Sequence, residues 1–260
     1  MDTRFWGPSG WRLLHSITFA YDPKERSAVQ TFFETLPFVL PCKFCRTSLQ
    51  EYVEEDPVKP ALESRDSLSR WLWRIHNKVN DKLRSQSLPV DPDPPFEKVK
   101  EFYEGLGGCY KTEFPGWDFL FSIADLHPMS LTARKSVPIH GATLCESMKT
   151  DEEKNKGNCL TPEERLAHYK EFWQSLGAVL PFKEWRDAWK STLTHPRLSS
   201  RSKTVSWLWK KRCSMEHRLD LINRCKYSSL CKTLKHHRSG CNKSKRAKTC
   251  RKSRLKKSGL

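Results

Sequence analysis

Apolar residues recur along most of this chain every three or four positions, the period of one face of an α-helix. The clearest run spans residues 67–83, where Leu68, Trp71, Leu72, Ile75, Val79 and Leu83 form one stripe. Residues 11–21 carry Trp11, Leu14, Ile17 and Phe19 in the same way, with Ser9-Gly10 as a start signal. Residues 28–36 predict a second helix that ends before Pro37. Residues 42–53 contain no breaker and follow Pro41, so a third helix begins there with proline near its first turn. Residues 88–95 read as a proline-rich linker and 96–106 as a short fifth helix. No segment shows a clear strand pattern, so the expected fold class is all-α: a four-helix bundle with a short fifth helix.

The run from Gly105 to Gly108 marks a boundary, which gives domains over 1–108 and 109–223 and a tail over 224–260. In the second domain, residues 117–126 predict an aromatic helix and 127–156 a polar loop. Thr161-Pro-Glu-Glu164 starts another helix with acids in its first turn, reaching residue 176. Further helices are expected over 181–193 and 203–223. The two domains overlay. Gly10-Trp11-x-x-Leu14-x-Ser16-Ile17 returns as Gly116-Trp117-x-x-Leu120-x-Ser122-Ile123. Phe32-x-x-x-Leu36-x-x-Val39-Leu40-Pro41 returns as Phe172-x-x-x-Leu176-x-x-Val179-Leu180-Pro181, and Trp71-Leu72-Trp73 as Trp207-Leu208-Trp209. The overlay places Cys42 and Cys45 on Phe182 and Trp185, and His76 and Asn77 on Arg212 and Cys213. Packing residues persist where reactive ones do not, so the expectation is one catalytic half and one degenerate, structural half.

Charge changes the picture at the C-terminal end. The net charge is +17, but residues 224–260 hold fourteen Lys or Arg and no acid, leaving 33 basic against 30 acidic residues elsewhere. The body is near neutral, and the tail reads as a disordered, solvated segment. Its charges suit nucleic acid or an acidic surface through counterion release. No run of about 18 apolar residues suggests a membrane span, and residues 1–10 lack the pattern of a secretory signal. Ten cysteines without such a signal point to metal binding, redox work, or an environment where thiols are kept oxidised. In the tail, Cys225, Cys231, His236 and Cys241 are candidate zinc ligands, and disulfides are the competing reading.

Cys42-Lys-Phe-Cys45 carries the candidate chemistry. Cysteines three apart on a helix share a face and lie close enough to bridge. A helix start, with Lys43 and Arg46 adding charge, favours the thiolate that attacks disulfides. The motif alone fits half a zinc site or a redox pair. No further zinc ligands stand nearby at a familiar spacing, and the segment before it reads as helix rather than the strand of a thioredoxin-like unit.

Trp6-Gly-Pro-Ser-Gly-Trp11-x-x-x-His15, the Cys42-x-x-Cys45 pair, and Trp71-x-x-x-x-His76-Asn77-x-Val79-Asn80-x-Lys82-Leu83 together resemble the Erv/ALR sulfhydryl oxidase family in order and spacing. The resemblance covers residues 4–106 and is closest to forms from large DNA viruses, including the mimivirus type. It implies an FAD-dependent thiol oxidase that forms disulfides in protein dithiols and reduces O2 to hydrogen peroxide. Cys45 would be the flavin-side thiol and Cys42 the thiol that meets substrate. Trp11, His15, His76, Asn77 and Asn80 would line the cofactor pocket, Lys82 would meet the pyrophosphate, and Tyr103 would close the site. No metal is implied. The resemblance also implies a homodimer, and a viral setting would place the protein in host cytoplasm or the virion. The second cysteine pair that shuttles electrons in cellular members has no clean counterpart here, so direct oxidation of a partner thiol or a dedicated viral carrier at Cys42 is expected. The rival classes are a non-enzymatic basic virion or nucleic-acid-associated protein on an inactive oxidase scaffold, and a zinc-binding module.

Overall fold

A computed structural model describes residues 1–106, 114–130, 160–192, 195–221 and 225–238. Among them every regular element is helical. The first half comprises α1 (Thr3–Phe19), α2 (Arg26–Val39), α3 (Lys43–Glu55), the single turn α4 (Val58–Ala61), α5 (Arg65–Ser85) and α6 (Phe96–Gly105). The second comprises α7 (Trp117–Asp125), α8 (Pro162–Val179), α9 (Lys183–Ser191) and α10 (Arg201–Arg218), followed by α11 (Tyr227–Arg238). None of the described helices is long and apolar enough to cross a membrane.

Two helices extend past the bounds the sequence pattern predicts, and each holds a proline. α1 starts at Thr3, not Trp11, because the Asp2 carboxylate caps it by accepting from the Arg4 N–H at 3.0 Å. Pro8 then costs this helix one backbone bond near its beginning. α2 continues to Val39 with Pro37 buried inside it, and the second half packed along its length offsets the lost bond. Other starts match their signals. Ser64 caps α5 by accepting from the Ser67 N–H at 3.1 Å. Thr161 and Glu164 form a reciprocal capping box at the head of α8.

One continuous hydrophobic core runs through both halves. α2 lies against α8, where Phe32 and its overlaid counterpart Phe172 stack with centroids 5.1 Å apart. α1 lies against α7 with reciprocal close approaches. A Cβ on Gly10 would come within 3.0 Å of Phe119, and one on Gly116 within 2.6 Å of Leu13. Gly10 overlays Gly116 and Leu13 overlays Phe119, so the contact is self-complementary, as in an isologous dimer. Interior details repeat as well. Arg46 donates to the Leu40 carbonyl at 2.9 Å and Arg186 to the Leu180 carbonyl at 2.6 Å. Phe33 meets Trp71 edge-on, and Trp173 meets Trp207 the same way.

The expectation of disorder from residue 224 onward is corrected over 227–238, which form α11. Leu230 and Leu234 are buried. Arg238 donates from Nε and Nη2 to the fully buried Asp125 carboxylate, both at 2.6 Å, and Arg201 pairs with the same carboxylate. His237 stacks on Phe5 at 4.1 Å, and its carbonyl accepts from the Asp2 N–H at 3.1 Å. The acid that orders this basic segment lies 113 residues away in sequence, so the local charge run did not reveal it. Among the described residues no group of three His, Cys, Asp or Glu is placed to hold a metal. Of the candidate zinc ligands, Cys241 lies outside the described residues.

Candidate functional site

The α3 N-terminus places the cysteines. Cys42 is the N-cap residue in extended conformation (φ −145°, ψ 126°), and Cys45 sits in the first turn. Cys45 is partly exposed and faces a cavity of about 440 Å³ between α1, α3 and α5. Trp11, His76, Asn80 and Lys82 line the same cavity. A neighbouring cavity of about 330 Å³ is lined by His15, His76, Asn77, Asn80 and Tyr103. His76 and Asn80 belong to both walls. The structure therefore brings together every expected site residue around two adjoining spaces, with Cys42 as the exception. Cys42 lines neither cavity and is only 7% exposed.

The rings are stacked rather than splayed. Trp11 lies on His76 with centroids 3.8 Å apart at 12°, so these two do not face each other across a gap. His15 Nε2 and His76 Nδ1 are 3.1 Å apart in a hydrogen bond that needs at least one neutral ring. Tyr103 stacks near His15 at 5.2 Å and on Phe19 at 5.4 Å. Lys82 Nζ donates to Ser48 Oγ, and Asn80 Nδ2 donates to Asp93 at 2.6 Å.

Burial, reinforced by the His76 charge, pushes His15 down to about 3, and burial pushes His76 down to about 4 against the pull of Asp93. Both rings are neutral at working pH. The unfolded chain takes up these protons near 6.5, so between there and about pH 4 it binds protons that the folded chain refuses. Stability is thus fully present above pH 6.5 and declines as the pH falls. Thermal melts are expected to show this decline, with a shallower slope in His76→Gln. Equal slopes in the two proteins would contradict it.

Sequence reading missed three contributors. Pro89, Val90 and Asp91 of the proline-rich segment form part of the larger cavity's wall. Ser48 anchors Lys82. Asp93 holds Asn80 and also pairs with Arg84 at 2.8 Å. Only the proline spacing was a signal, since it predicts extended backbone able to lie across α5.

The equivalent place in the second half is filled. Trp185, where Cys45 would stand, is buried between Phe114 and Phe182, each with its ring centroid 4.7 Å away. Arg212, where His76 would stand, donates to Glu216 at 2.9 Å and lies 5.6 Å from the Trp117 ring.

Residues 8–103, the segment holding every expected site residue, match the Erv1/Alr family profile. Protein 347L of Invertebrate iridescent virus 6 is 31% identical over 98 residues, which are 34% of this chain and 88% of that protein. The chain belongs to the Erv1/Alr family. The mitochondrial ERV1 protein of Saccharomyces cerevisiae is 35% identical to this Erv1/Alr chain over 82 residues, covering 30% of this chain and 42% of the yeast protein. Protein R368 of Acanthamoeba polyphaga mimivirus is 34% identical over 85 residues, covering 31% and 59%. The names of all three describe FAD-linked sulfhydryl oxidases. The chain thus spans about two-fifths of the yeast relative and three-fifths of the mimivirus one. No solved structure matches the chain significantly.

Proposed function

We propose that this chain is an FAD-dependent sulfhydryl oxidase that forms disulfides in protein dithiols at Cys42 and Cys45. The observation that supports this most is that Cys45 opens onto the cavity lined by Trp11, His76, Asn80 and Lys82. The donor set suits a flavin nucleotide. Flat aromatic walls accept flat rings, Asn77 and Asn80 offer amides, and Lys82 offers a cation for the pyrophosphate. Nδ1 of His15 is buried without a partner, an unsatisfied ring nitrogen beside the smaller cavity.

A substrate thiolate attacks the Cys42 sulfur of the Cys42–Cys45 disulfide, forming a mixed disulfide and releasing the Cys45 thiolate. The second substrate thiol then attacks the substrate sulfur of that mixed disulfide and releases Cys42. The substrate leaves as a disulfide, and the protein pair has gained two electrons and two protons. FAD, which Trp11, His76, Asn80 and Lys82 would hold, would supply a two-electron acceptor for the reduced pair, with O2 as the final oxidant and hydrogen peroxide as its product. Because Cys42 is nearly buried, a protein dithiol or viral carrier reaches it only through local opening of the surrounding chain.

The second half acts as a built-in partner without its own cofactor. α7 and α8 cover α1 and α2, so a homodimer would use another surface. The purified full-length chain is expected to be yellow with about one flavin per chain, to consume oxygen on addition of dithiothreitol, and to lose its colour in His76→Ala. A chain that stays colourless in excess FAD and retards DNA regardless of Cys45 would instead support the basic, non-enzymatic reading.

A further inference from the structure

Two arginines whose Nε is buried without a partner, one from each half of the molecule, lie toward the start of α3. Arg46 follows Cys45 directly, and its backbone N–H donates to the Cys42 carbonyl at 3.0 Å. Its Nη1 holds the Leu40 carbonyl, while its Nε is buried with no partner. The second group arrives across the seam between the halves. Stacking of Phe32 on Phe172 and of Phe38 on His168 shows that α2 and α8 run antiparallel. As α2 proceeds toward Cys42, α8 runs back toward its own first turn. Arg165, one turn before His168, therefore comes to the Leu40–Cys42 end. It is 9% exposed, and its Nε is also buried without a partner. Among the described residues no carboxylate pairs with Arg165 or Arg46.

Such an arrangement is costly as a purely structural device. A buried cation normally keeps a counter-charge. Here burial, and after it the Arg46 charge, push Arg165 down to about 9. Burial likewise lowers Arg46, and the two anionic sulfurs would draw it back up. The anion these guanidiniums can share is a thiolate of the pair itself.

We propose that Arg165, contributed by the degenerate half, is a positioning residue for the redox pair, completing with Arg46 a two-guanidinium face that favours the thiolate at Cys42 and Cys45. This rests on reading Cys42 and Cys45 as the redox pair. It also gives the second half a chemical task. Among the described residues, the other charged or titratable groups near the pair are Arg4 from α1, His76 and Lys82 from α5, and Asp91 from the loop, all on the Cys45 cavity, with the Met1 amino group on the Pro41 carbonyl. None of them comes from the second half.

The test is the pH dependence of iodoacetamide alkylation at Cys42 and Cys45 in the reduced full-length chain, read by mass spectrometry. Arg165→Met and Arg165→Gln are each expected to raise the alkylation midpoint by about one pH unit, the low end of the effect of a neighbouring opposite charge. Arg165→Lys is expected to restore most of the shift. Arg186→Met, which alters the equivalent of Arg46 in the second half, should leave the midpoint unchanged. Folding is followed by thermal melts, and Arg165→Met should melt no lower than the parent because it removes an uncompensated buried charge. An unchanged midpoint in the folded variants overturns the proposal, and so does unfolding of both neutral variants, which would make Arg165 a structural residue. Alkylation reads the thiols directly, so failure here is distinct from failure to bind FAD or consume oxygen.

Discussion

Replacing Cys45 by Ser is expected to leave a folded, yellow protein whose oxygen consumption with dithiothreitol falls by about a thousandfold or more. Serine differs from cysteine by one atom and the side chain is only partly buried at a cavity wall, so the stability change should be small, on the order of 1 kcal/mol. The chemistry has no substitute. A hydroxyl cannot join a disulfide, and removal of a covalent centre typically costs several orders of magnitude in turnover. Cys213→Ser is the matched control. That residue lies on α10 in the second half and is exposed, so its loss should leave turnover unchanged. Oxygen-electrode rates normalised to bound flavin separate the outcomes, and a Cys45→Ser enzyme within tenfold of the parent would remove Cys45 from the mechanism.

Much of this arrangement could be read from residue order, because it depends on local spacing. Cys42 and Cys45 are placed by one helix start. His76, Asn77 and Asn80 are placed by one helical stripe that adjoins the buried Leu68, Trp71, Leu72 and Ile75. Trp11 and His15 are four apart on α1. Helical period alone assigns each of these to a face. The pairing of Phe32 with Phe172 and of Gly10 and Leu13 with Phe119 and Gly116 joins positions whose apolar spacing repeats along the chain.

What was not legible depends on partners distant in sequence. Pro8 and Pro37 are breakers in isolation, yet both lie inside helices, Pro37 within a buried stretch of α2. α11 has a charge pattern suited to a solvated tail, and it is folded by Asp125 and by two leucines that find the core. Cys42, expected to face substrate, is buried. Arg165 had no local signal: in sequence it is one arginine in the first turns of a helix rich in charge, and only the antiparallel register of α2 and α8 carries it toward the end of α2 and the charge of Arg46.

That register is also where a single substitution should do most damage to the fold. Phe172 is fully buried, stacks on Phe32, and meets Trp173 edge-on at 5.2 Å. Phe172→Ala removes a ring from the centre of the α2–α8 seam, a change that typically costs about 3–5 kcal/mol. Against a total stability of about 5–15 kcal/mol this is large, and for a chain of this size it corresponds to a melting point lower by about 10 °C. The effect should reach the first half. The core is continuous across the seam, and α2 leads directly into Pro41 and Cys42, so loosening α2 loosens the start of α3. Melts followed by flavin release and by helix content should therefore shift together. Lys190→Ala, at an exposed position on α9, should shift neither by comparison. If flavin release in Phe172→Ala stayed at the parent temperature while helix content fell in a separate earlier step, the halves would be independent folding units, and the second could not act as the built-in partner of the first.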